Sequence, residues 1–190
     1  MERKKKFAAV FLDRDGTINE EVGYLDRLER LRILPGVAEA VRRINKSGLK
    51  AVVVTNQSGV ARGYFTEEFV RTVHERIREA LRREGAEIDG FYYCPHHPSE
   101  GIGDYRRSCD CRKPATGMLR RAGEELDIDL SRSYLVGDTL KDIETGLRAG
   151  TRTVLVRTGY GASEIPSNIR PDCTATDLLD AVRWILKNSA

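Results

Sequence analysis

The chain has 190 residues, 40% hydrophobic and 32% charged, with a net charge of +3. That suits one domain with a full core and is too apolar for a disordered chain. Acids and bases are interspersed, no apolar window is long enough to span a membrane, and the apolar run at 7–12 is too short for a signal-peptide core, so a cytoplasmic protein with no nucleic-acid or membrane partner is expected.

The basic run at 3–6 reads as a solvated lead-in to the first strand. Phe7-Ala8-Ala9-Val10-Phe11-Leu12 is continuously apolar, the pattern of a strand buried on both faces. Pro35-Gly36 opens a helix with Val37, Val41 and Ile44 on one face and Gly48 beyond its end. A second buried strand is predicted over 49–55. A long helix starts from the N-cap Thr66, carries the stripe Phe69, Val70, Val73, Ile77, Ala80 and Leu81, and stops at Gly85. His74, on that helix, is expected at the surface or its boundary. A third strand is predicted over 88–94 and an aperiodic loop over 95–114. Then come a helix near 117–126, a strand at 133–136, a helix at 140–149, a strand at 153–156, an irregular stretch at 159–171 and a last helix at 177–187. The alternation predicts an α/β fold: a Rossmann-like open parallel sheet with helices on both faces, in a single domain spanning 1–190. In such sheets ligands bind outside the carboxyl ends of the strands.

Those ends carry the chemistry. Asp13-Arg14-Asp15-Gly16-Thr17 follows the first strand, and residues two apart on a strand point the same way. Two adjacent carboxylates repel unless a cation separates them, and a hard divalent ion such as magnesium takes oxygen ligands. Gly16 permits a turn after which Asp15 offers its backbone carbonyl to the ion while its side chain swings elsewhere. Alone, the motif is as readily a turn of solvated aspartates. Thr55-Asn56-Gln57-Ser58 ends the second strand with a hydroxyl and backbone N–H groups suited to a phosphoryl oxygen. Arg112-Lys113 supplies a fork for a second phosphate and a point charge for a phosphoryl group. Asp138 ends the fourth strand as a further metal ligand. Asp142, four residues on, is an acceptor for Lys113 or for metal-bound water. Cys94, His96, Cys109 and Cys111 suit tetrahedral zinc in a reducing compartment, with His97 the rival ligand, expected to face solvent or substrate. Cys173, alone, is expected to be a small buried residue.

Taken together, these motifs make the chain resemble the haloacid dehalogenase superfamily of phosphohydrolases over nearly its whole length. The longer runs Phe11 to Asn19 and Thr55 to Gly63, with Cys94-Pro95-His96-His97-Pro98 and Cys109-Asp110-Cys111-Arg112-Lys113-Pro114, carry that resemblance furthest. It implies a Mg2+-dependent phosphatase in which Asp13 is the nucleophile and Asp15 the acid and base. Asp13, the Asp15 carbonyl and Asp138 would hold the ion, while Thr55 and Lys113 stabilise the phosphoryl group. It also implies a structural Zn2+ on Cys94, His96, Cys109 and Cys111 in a loop at about 94–111. About 37 residues separate Thr17 from Thr55, room for a flap and one helix, so the fold is nearly capless. Recognition then falls to loops: Glu21, Val22, Gly23 and Tyr24, Thr55 to Ser58, and Arg112-Lys113. A monomer acting on a small-molecule sugar bisphosphate is expected, with the related histidinol-phosphate phosphatases as the alternative.

Overall fold

The computed structural model describes residues 6–160 and 168–189. The expected basic lead-in at 3–5 and residues 161–167 of the expected irregular stretch lie outside the described residues. Six strands form one sheet in the order β3-β2-β1-β4-β5-β6. They are β1 (Ala9–Leu12), β2 (Lys50–Asn56), β3 (Gly90–Cys94), β4 (Tyr134–Gly137), β5 (Arg152–Val156) and β6 (Cys173–Ala175). Every ladder is parallel. The helices are α1 (Val37–Lys46), α2 (Glu67–Arg83), α3 (Gly117–Glu125), α4 (Leu140–Ala149) and α5 (Leu178–Asn188).

Side chains alternate across the sheet with the period of a strand. Val10, Leu12 and Val53 join α1, α2 and α5 in one core, and Ala9, Phe11, Val52 and Val54 join α3 in the other. This two-sided burial, worth about 1.5–3 kcal/mol for each large apolar side chain, fixes the register. Leu12 lies opposite both Val53 and Val136. The strand order reverses between β1 and β4, so Asp13 and Asp138, each one residue beyond its strand, flank the switch point where open α/β sheets bind ligands.

Three local expectations are corrected. β6 was not foreseen, because three residues with no apolar run give no periodic signal; its pairing with β5 defines it. Cys173, on this edge strand, is half-buried against the core rather than fully enclosed. His74 is buried, not at the boundary: it lies between Val70 and Ile77 on the same helical stripe, and its ring stacks on Phe91 with centroids 4.7 Å apart. Its polar character, not its position, suggested the surface.

Burial pushes the His74 pKa down to about 3, helped by the nearby Arg14, and its Nε2 has no hydrogen-bond partner among the described residues. Above about pH 6.5, His74 is neutral in both folded and unfolded chains, so its protonation adds no pH-dependent cost. As pH falls below that, only the unfolded chain takes the proton, so stability is lost at about 1.4 kcal/mol per pH unit down towards the folded pKa. His74→Phe should remove this term while keeping the stack. In denaturant titrations, the stability difference between wild type and variant should move by about 2 kcal/mol between pH 7 and pH 5, in favour of the variant at pH 5. A pH-independent difference would show that His74 is protonated in the folded protein.

Candidate active site at the sheet switch point

Lys113 is the most completely held side chain in the site. It is buried, and its three ammonium protons have three acceptors: Val54 O at 3.1 Å, Asp13 Oδ1 at 2.8 Å and Asp142 Oδ1 at 2.5 Å. Burial alone would lower its pKa, but the two carboxylates more than offset that and raise it above the ordinary lysine value. Its backbone is fixed as firmly. Asn56 Nδ2 donates to Lys113 O (3.2 Å), and Lys113 N donates to Asn56 Oδ1 (3.0 Å). Asn56, expected to touch substrate, therefore spends its amide on positioning Lys113.

Asp142 is wholly buried. Besides Lys113, it accepts from Thr139 N (3.0 Å) and Thr139 Oγ1 (2.6 Å), closing a capping box at the start of α4. Its ligand oxygen lies within 4.8 Å of those of Asp13 and Asp138. With three hydrogen bonds already made, it holds Lys113 rather than a cation.

Asp13 uses one oxygen for structure. Oδ1 accepts from Arg14 N (2.8 Å) and from Lys113, while Oδ2 has no hydrogen-bond partner among the described residues. Burial, then the charges of Asp142 and Asp138, raise the Asp13 pKa well above the usual range, against the pull of Lys113. Burial likewise raises Asp138 to about 7, with Asp142 adding to it and the Tyr160 N–H, donating at 2.8 Å, opposing it. Three carboxylates thus face one ammonium, a surplus of negative charge that a divalent cation would relieve. The site is shaped for it by two glycines. A Cβ on Gly16 or on Gly159 would come within 2.3 Å of Asp138 Oδ2, and both have positive φ. Thr158 Oγ1 ties the two turns together by donating to Gly16 O at 2.6 Å.

Asp15 has turned out of this cluster. Arg14, buried at 1% exposure, donates to both its carboxylate oxygens at 2.9 Å; Asn19 Nδ2 and Gln57 Nε2 donate at 2.9 Å each. Burial raises the Asp15 pKa, but Arg14, Asn19 and Gln57 outweigh it and leave it below the usual value. Gln57 also donates to Thr55 Oγ1 (2.9 Å), leaving the Thr55 hydroxyl proton to serve as a donor.

Asp13, Arg14, Asp15, Thr55, Lys113 and Asp138 line a cavity of about 260 Å³. Of the expected recognition residues, Glu21, Gly23, Tyr24, Gln57, Ser58 and Arg112 line it too. Val22 does not: its side chain packs on the core below the flap, because the chain turns at Gly23 and carries Tyr24 back to the cavity, where it rests edge-on against Tyr64. Lys141 and Tyr160 also line the cavity and were missed. Lys141 adjoins Asp142, and that adjacency was its one signal in the sequence.

The second cluster lies beyond β3. Cys94 Sγ is 3.5 Å from Cys109 Sγ, Cys111 Sγ is 3.3 Å from Cys109 Sγ, and His96 Nδ1 is 3.4 Å from Cys111 Sγ. A tetrahedral zinc with roughly 2.3 Å bonds to sulfur needs such spacings, and the four residues could hold one. The Cys94 hydrogen bond is the main cause holding the Cys111 thiol down at about 5, against burial. His97 stands outside the cluster, its Nδ1 accepting from Glu100 N at 3.0 Å. The loop reaches the cavity through two bonds: Arg112 donates to His96 O (3.1 Å), and Gln57 N donates to Cys94 O (2.8 Å).

Comparison with known proteins agrees with this geometry. A family model described as HAD-hydrolase-like matches residues 110–181. The chain is 47% identical over 156 residues to the D-glycero-beta-D-manno-heptose-1,7-bisphosphate 7-phosphatase of Escherichia coli K12, covering 82% of each chain. It is 45% identical over 190 residues to the D-glycero-D-manno-heptose-1,7-bisphosphate 7-phosphatase of Thermosynechococcus vestitus, covering 96% of this chain and 97% of the relative. Among solved structures, the D,D-heptose 1,7-bisphosphate phosphatase from B. bronchiseptica, complexed with magnesium and phosphate, superposes with a TM-score of 0.82 at 32% identity, over 95% of this chain and 99% of that one. The chain belongs to the haloacid dehalogenase-like hydrolases. Within that family it is a phosphatase, a phosphoric monoester hydrolase of the group that contains these relatives.

A methyl group on Gly159 would meet Asp138 Oδ2 at 2.3 Å and the Gly16 Cα at 2.8 Å, so it presses on that carboxylate and on the turn after β1 together. Gly159→Ala should cost about 1–3 kcal/mol of stability, through its positive φ and the Gly16 contact, but lower kcat by roughly 100-fold or more, by displacing the Asp138 carboxylate. Melting curves beside turnover would check it; equal small losses in both would mean that Asp138 need not stay where the two glycines hold it.

Proposed function

We propose that the protein hydrolyses the 7-phosphate of D-glycero-D-manno-heptose 1,7-bisphosphate through an aspartyl-phosphate on Asp13, in the synthesis of heptose precursors. The observation that carries the mechanism is the division of labour within the Asp13 carboxylate, which lines the cavity: Oδ1 is pinned by Arg14 N and Lys113, and Oδ2 has no hydrogen-bond partner among the described residues. The substrate follows from the similarity to the heptose-bisphosphate phosphatases over nearly the full chain.

The reaction has two halves. Asp13 attacks phosphorus, the bond from phosphorus to the sugar oxygen breaks, and Asp15 gives its proton to the departing alkoxide. Water then attacks the aspartyl-phosphate, Asp15 takes the proton back, and phosphate leaves with Asp13 regenerated. At rest Asp15 is a carboxylate clamped by Arg14, the state the second half needs. The arriving phosphate dianion is a like charge that raises the Asp15 pKa, which favours the protonated form the first half needs. Lys113 and the Thr55 hydroxyl donate to the transferring phosphoryl oxygens, and Arg112 takes the second phosphate. Asp13, the Asp15 carbonyl and Asp138 would hold Mg2+, which supplies neutralising charge to the phosphoryl oxygens. Cys94, His96, Cys109 and Cys111 would hold a structural Zn2+ that stiffens the loop carrying Arg112 and Lys113. The four free cysteines fit a reducing, cytoplasmic setting. No helix among the described residues is long and apolar enough to cross a membrane.

Phosphate release should be measured with both anomers of the heptose bisphosphate and with histidinol phosphate, Asp13→Asn serving as control. The expected result is clear preference for a heptose bisphosphate and a fall in kcat on the order of 10⁴-fold in the variant. Comparable rates on all three compounds would remove the substrate assignment, and undiminished turnover by Asp13→Asn would remove the mechanism.

A further inference from the structure

The cavity is lined by charges of both signs. Glu21, held by the Gly23 N–H at 2.5 Å, bears on Asp15, Asp138 and Tyr160. The same lining holds two further cations, Arg112 and Lys141. Neither has a carboxylate partner among the described residues. Among the described residues, Arg112 spends one N–H on the His96 carbonyl and keeps the rest of its fork free, and Lys141 makes no side-chain hydrogen bond or ion pair. Their neighbours differ: Arg62 is paired with Glu100, and Lys113 with Asp13 and Asp142.

Position explains how Lys141 comes to be there. It occupies the first turn of α4, directly before Asp142. Adjacent helical residues point about 100° apart. With Asp142 drawn inward to Lys113 and Thr139, Lys141 is set at the exposed mouth of the same cavity. The bond that fixes the catalytic lysine thus also aims this second lysine.

We infer that Lys141 is a specificity-determining residue that, together with Arg112, grips the non-reacting phosphate of a bisphosphate substrate. The inference rests on the function proposed above. Two unneutralised cations in one cavity suit a dianion, since a phosphate presents several oxygens and one guanidinium leaves some unmatched. The Glu21 carboxylate, which bears on Asp138 and Tyr160, repels that phosphate and accepts from sugar hydroxyls instead. The charge pattern therefore orients the substrate end to end, with the reacting phosphate at Asp13 and the other toward α4.

The test compares kcat/KM for the heptose 1,7-bisphosphate with kcat/KM for the same sugar carrying only the 7-phosphate, in wild type, Lys141→Met and Lys141→Arg. The bisphosphate-to-monophosphate ratio should fall roughly tenfold in Lys141→Met, chiefly through KM for the bisphosphate, and recover in Lys141→Arg. A ratio in Lys141→Met within twofold of wild type, where wild type itself prefers the bisphosphate, would overturn the role of Lys141 while leaving the proposed function standing. No preference in wild type would overturn both.

Discussion

The buried ammonium of Lys113 is the constraint on which the rest of the site depends. An unpaired lysine there would shed its proton or unfold its surroundings, so the fold must bring acceptors to it. It brings three, from β2, from the end of β1 and from the first turn of α4. Each acceptor ties a separate element to one point, and each tie has a catalytic consequence. The bond to Asp13 immobilises one oxygen and leaves the other without a hydrogen-bond partner among the described residues. The bond to Asp142 orients α4, and with it Lys141. The charge left over, with Asp138 added, is what makes the site suited to a divalent cation.

The scaffold around that point is built to be stiff. Asn56 and the Lys113 backbone exchange two hydrogen bonds. Gln57 joins the motif after β2 to Asp15 and Thr55 through its side chain and to Cys94 through its backbone. The cysteine loop therefore connects to the catalytic groups by a short chain of bonds. With no cap domain among the described residues, preorganisation has to come from the floor and walls.

The motifs at the ends of β1, β2 and β4, and Lys113 before α3, were legible because open parallel sheets put chemistry at their carboxyl edge, and the residue types there are specific. The buried strands were legible as apolar runs such as Val52-Val53-Val54. What escaped lacked a periodic or chemical signature. β6 has three residues and exists through its neighbour. His74 obeys the helical stripe, but its polarity argues against burial until Phe91 is seen stacked on it. Val22 sits one residue before a glycine turn that reverses which side chains face the cavity. Lys141 looks like any surface lysine until Asp142 is known to point inward. In each case the missing information is tertiary: which neighbour the side chain meets, not what it is.

Burial, reinforced by the like charge of neighbouring carboxylates, raises the pKa values of Asp13 and Asp138 and leaves the pair suited to a divalent cation. Calorimetric titration with Mg2+ near pH 6.5, repeated in buffers of different ionisation enthalpy, tests this most directly. Binding should expel on the order of one proton per ion, from carboxylates that are protonated until the cation arrives, and the release per ion bound should fall in Asp138→Asn, which leaves Asp13 alone to give up a proton. Tight binding with no proton released, or undiminished release in the variant, would contradict it.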